Sequence, residues 1–198
     1  MKITGTNSLA KYLSYFAFFI FAFCAVHLVY ELVGHAVLYY KHQSGSQIFP
    51  NTFILNKNVG WTRNKWTIPM DQLLKFKINY PFSSVQVVTG VYGSSQIIYN
   101  SLAFLFLSLF FFLSYKTLKE MSTDKIFNPN AIKWLKHFAY FNLIVAILFI
   151  LYTVFFHSID ISIIFQIFFS GFLGIMILFV VDFFKKGYQL QNENDLTI

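Results

Sequence analysis

Along the chain, apolar residues gather in four long runs, without the alternation of a half-buried strand. The runs are Tyr12 to Val33, extendable to Tyr40, then Ile97 to Tyr115, Phe138 to Phe156 and Ile161 to Val181. Each approaches the roughly 20 residues that a helix needs to cross about 30 Å of hydrocarbon. A spanning strand needs only about 10 residues with alternating faces, and these runs do not alternate. The pattern predicts helices over 12–38, 96–116, 134–157 and 160–184. The expected fold class is all-α membrane: a four-transmembrane-helix bundle forming one membrane domain over 1–198, with neither repeats nor low-complexity tracts.

Between the first two helices lies a long loop, about 41–95, the only large segment outside the predicted helices. It contains "KFKINYPF" and "SVQVVTGVYG", both partly alternating and rich in β-branched or aromatic residues. Turn formers surround them, from Gly45 and Pro50 to Gly90 and Gly93, so a small β-ribbon or hairpin is expected on the outer face. The connection "TLKEMSTDKIFNPN" reads as a turn ended by Asn128-Pro129, with Asn130 as the expected cap of the third helix.

Composition strengthens the membrane reading. Hydrophobic residues make up 57% of the 198 and charged residues 12%, against about 25% charged in an ordinary soluble domain. One soluble core could not hide so much apolar surface, which includes 27 Phe and 12 Tyr. The net charge of +7 then suits anionic headgroups better than nucleic acid. Nine lysines fall in three short segments: Lys2 and Lys11; Lys116, Lys119, Lys125, Lys133 and Lys136; Lys185 and Lys186. Six basic residues are spread over the long loop, and "HSID" has none. This density predicts a multi-pass protein of the bacterial cytoplasmic (inner) membrane with both termini cytoplasmic. The first apolar run is too long and aromatic for a signal peptide and ends in no convincing cleavage site, so it is read as a retained helix. The single Cys24 excludes an intramolecular disulfide.

The most chemical stretch is "HLVYELVGH". His27, Glu31 and His35 are four apart and form one helical stripe. Ionisable groups within a membrane are functional candidates. A neighbouring pair could hold a metal ion or pass a proton, but His27 and His35 would stand about 12 Å apart, too far to share one ion easily. "YELVGH" resembles H-E-x-x-H with Tyr30 in place of the first His, which removes a zinc ligand. The plainer expectation is that Glu31 and His35 lie near the outer surface, where they snorkel or pair with loop lysines. Asn142 and Gln166 read as interhelical hydrogen-bond partners, with His157 as the other polar residue nearby. Ser170 and Gly174 form a small-xxx-small face for helix packing within the bundle or in a homo-oligomer. Asp182 should pair with Lys185 or Lys186 at the inner surface. No Walker loop, dinucleotide fingerprint, nucleophile elbow or Cys/His zinc spacing is present, so neither a catalytic role nor a cofactor is expected.

The chain closes with "KKGYQLQNENDLTI". The lysines should hold the helix end at the inner surface, and Gly187 is expected to stop the helix, leaving 185–198 as a cytoplasmic tail. That tail either folds back on the bundle or docks into a soluble partner. "FFKKGYQLQNENDLTI" resembles the ending of the bacterial family DUF2975, small four-helix membrane proteins that finish in G-x-x-L-Q-x-E-N-D-L-T-I/V. Gly187, Leu190, Gln191, Glu193, Asn194, Asp195, Leu196, Thr197 and Ile198 match that pattern. The four apolar runs, the long first loop and the short Pro-bearing connection fit the same layout.

The resemblance implies no reaction. It implies a context, because such proteins are often encoded beside a small Cro-like helix-turn-helix regulator. The tail is then a candidate docking site for that regulator, with no direct nucleic-acid contact, since Glu193 and Asp195 would be repelled by DNA phosphates. The rival expectations are a small transporter or channel component using the His27–Glu31–His35 stripe, and a membrane metalloenzyme using it as a metal site.

Overall fold

A computed structural model describes residues 2–156 and 161–195. Its elements are α1 (Leu9–Ser44), β1 (Phe53–Asn56), β2 (Lys75–Asn79), β3 (Gln86–Val91), α2 (Ser94–Met121), α3 (Pro129–Phe156) and α4 (Ile161–Asp195). All four helices are long and apolar enough to cross a membrane. Large apolar side chains such as Phe155, Phe165 and Phe168 are exposed along them, as expected where lipid completes the apolar environment. Two compact units are present, one made of 1–21 with 109–198 and the other of 22–108.

In the first unit, α3 and α4 pack around Ala131, Leu135, Ala139, Ile177, Val181 and Phe184. Small residues set the approach. A Cβ on Gly174 would lie 2.7 Å from Leu143 Cγ and 3.1 Å from the Ala139 carbonyl oxygen. Ser170, one turn away, is buried and returns its hydroxyl to the Gln166 carbonyl. The expected Asn142–Gln166 pair does not form. Asn142 is buried but donates to Phe138 O at 2.7 Å on its own helix, while Gln166 is exposed. A carbonyl four residues back is always within reach of a helical amide, so no partner helix is required.

The cap of α3 is also corrected. Asn128, not Asn130, accepts the Ala131 N–H at 2.8 Å through its side chain, and Pro129 fills the first helical position, where an N–H has no intrahelical partner.

At one end of this unit the basic segments come together. Gly5 N–H donates to Met121 O at 3.0 Å, and Thr6 Oγ1 donates to Asp124 Oδ1 at 2.9 Å. The amino-terminal segment therefore rests on the α2–α3 connection. Phe127 of that connection packs on Phe184 of α4 with ring centroids 5.2 Å apart. Lys116 Nζ lies 5.3–5.7 Å from the ring centroids of Phe112, Tyr115 and Trp134, and Lys186 pairs with Asp182 at 3.1 Å.

The second unit holds the carboxy-terminal half of α1, the sheet and the start of α2. The sheet is antiparallel in the order β1-β2-β3. "KFKINYPF" and "SVQVVTGVYG" supply β2 and β3, and a third strand, β1, comes from "FILN", outside the two expected stretches. Alternation in β2 turns Phe76 and Ile78 inward, both fully buried with Leu38 of α1 and Phe53 of β1. Gly34 permits this contact, since a Cβ there would sit 2.7 Å from Ile78 Cδ1.

Candidate functional site

The sheet lies on the very stripe of α1 that carries the candidate chemistry. Contacts descend along β2 in order. Phe76 meets His35 edge-on at 4.9 Å, and Ile78 meets Gly34. Asn79 O accepts from the Tyr30 hydroxyl, and Tyr80 reaches His27 with Oη 3.3 Å from Nε2. Each step down β2 is a step back along α1, so the strand and the helix run antiparallel.

This cover changes the expected state of the stripe. Glu31 is fully buried and His35 nearly so; neither snorkels. Glu31 Oε1 and His35 Nε2 are 3.4 Å apart, so the carboxylate finds its partner on its own helix, not among loop lysines. Lys41, the nearest of those lysines in sequence, is buried and donates to Phe53 O at 2.6 Å, fastening β1 to α1.

One oxygen and one nitrogen of the pair, Glu31 Oε2 and His35 Nδ1, are buried without hydrogen-bond partners. Such atoms are costly. His27 stands apart from it, among Phe23, Phe104 and Tyr80. Among the described residues no three His, Cys, Asp or Glu side chains come together as a metal site would require.

Tyr30 stands where H-E-x-x-H would have a zinc-binding His. Its role is structural, through the hydrogen bond from its hydroxyl to Asn79 O. Asn79 in turn donates to Asn51 O at 2.8 Å. These bonds join residues 49 and 28 positions apart, and no local pattern announces them.

The tail departs from expectation as well. Gly187 does not stop the helix; α4 continues to Asp195 and carries Leu190, Gln191, Glu193 and Asn194 with it. Leu190 is exposed, and Phe183, two turns earlier on the same face, is exposed too. Leu196, Thr197, Ile198 and His157 lie outside the described residues.

The profile of DUF2975, a family described as protein of unknown function, matches residues 60–198. The chain belongs to this family. The DUF2975 match takes in β2, β3, α2, α3 and α4 and runs through the carboxy terminus, but it leaves out α1 with His27, Glu31 and His35. No curated protein and no solved structure matches the chain.

Proposed function

We propose that this DUF2975 chain is a non-catalytic protein of the bacterial cytoplasmic membrane that binds a small helix-turn-helix regulator through the end of α4. The supporting observation is the meeting of the amino-terminal segment, the α2–α3 connection and the α4 end region on one lysine-rich end of the first unit. Such an end belongs in the cytoplasm.

The length of α4 adds to this. Its 35 residues rise about 52 Å, well beyond about 30 Å of hydrocarbon. The last turns therefore stand in water as a helix and present Leu190 with Glu193 beside it. A short amphipathic face of that kind suits a groove on a folded protein and repels nucleic acid.

The test is purification of the tagged full chain from its own membranes beside a form ending at Gln191. A small DNA-binding protein retained only by the full chain, and bound again when both proteins are pure, supports the reading. Identical companions in the two preparations overturn it. A transport path along the α1 stripe has less in its favour, because His27 is engaged with Tyr80 and not with Glu31.

A further inference from the structure

We propose that the β2–β3 turn, Tyr80 to Val85, is a membrane anchor seated in the outer leaflet beside α1. The inference rests on the membrane orientation given above and adds a lipid contact for a segment outside the helices.

The level of the turn follows from α1. If hydrocarbon begins near Tyr12, the start of the apolar run, then His27 lies 15 residues or about 22 Å further along. In a core of about 30 Å that is roughly 8 Å beneath its outer boundary. Tyr80 is pinned at this level by its hydroxyl, 3.3 Å from His27 Nε2, and by its ring, 5.6 Å from the imidazole. Since β2 descends α1 from His35 to His27, the turn after Tyr80 is the part of the sheet lowest along the helix.

The residues of the turn suit that place. Phe82 is fully exposed and Val85 is exposed, although both are apolar. Phe82 also adopts φ +57°, a left-handed conformation that usually falls to Gly, Asn or Asp. A Phe held there with nothing packed on its ring presents that ring outward, and such outliers gather at binding positions.

The turn limits its own polar cost. Tyr80 N–H donates to Val85 O, Ser83 N–H to Tyr80 O and Val85 N–H to Ser83 Oγ, while Pro81 has no N–H to satisfy.

The test uses three single-tryptophan proteins in which the other native tryptophans among Trp61, Trp66 and Trp134 are replaced by Phe. One retains Trp66 on the exposed loop, one carries F82W and one carries F19W on α1. Each full chain is reconstituted into phosphatidylcholine–phosphatidylglycerol vesicles with bromine on carbons 6 and 7 of the acyl chains. Quenching of F82W at least twofold greater than that of Trp66, together with strong quenching of F19W, is the expected result. Strong quenching of F19W with F82W no more quenched than Trp66 overturns the anchor and leaves the membrane reading standing. An unquenched F19W overturns both.

Discussion

The ring of Phe127 fills the space that a side chain at Gly187 would need. A Cβ there would lie 2.7 Å from Phe127 Cδ1 and 2.8 Å from Cγ. Gly inside a helix costs about 1 kcal/mol relative to Ala; here that cost is offset by packing the α2–α3 connection onto α4. Gly187→Leu should therefore destabilise the first unit by about 1–3 kcal/mol, lowering the thermal midpoint of the purified protein in mild detergent. Phe127→Ala alone should also destabilise, and combining the two should cost less than their sum. Strict additivity would show that the contact does not couple them.

Two glycines on α4 provide an internal comparison. Gly174 faces Leu143 at 2.7 Å, whereas a Cβ on Gly171 would meet only Ala146 Cβ at 3.8 Å. Gly174→Ala should cost about 1–3 kcal/mol through overpacking. Gly171→Ala should be neutral or slightly stabilising through helix propensity. Thermal unfolding of both variants in one detergent decides the matter; equal behaviour would mean that α3 and α4 do not meet at Gly174.

Glu31 and His35 should behave as a pair. His35→Leu leaves a buried carboxylate without its partner and should cost about 3 kcal/mol. Replacing both by Leu removes the two polar partners together and should recover much of that loss. Proteolysis of the sheet provides the measurement: the single variant should be cut faster than the wild type, and the double variant at an intermediate rate or slower.

The α3 cap separates two neighbouring asparagines. Asn128→Ala removes the bond to Ala131 N–H and should cost about 1 kcal/mol. Asn130→Ala should lie within about 0.5 kcal/mol of the wild type. Circular dichroism melts of the two variants distinguish them, and an inverted order would return the cap to Asn130.

The sequence by itself determined the four long helices, because apolar runs of that length have few other physical solutions. It also marked β2 and β3 by alternation, and an ion pair of Asp182 with one of the two neighbouring lysines, which the structure resolves as Lys186. These features depend on near neighbours or on one solvent preference. The tertiary structure decided what depends on residues far apart in sequence. β1 is four residues long and obtains its register only from β2. Glu31 is buried because strands more than forty residues later cover it, and local polarity alone suggested the surface. Gly187 reads as a stop until Phe127, sixty residues earlier, is placed against it. Hydrophobic period and length are written locally, whereas burial and close approach belong to pairs, and only the folded chain brings those pairs together.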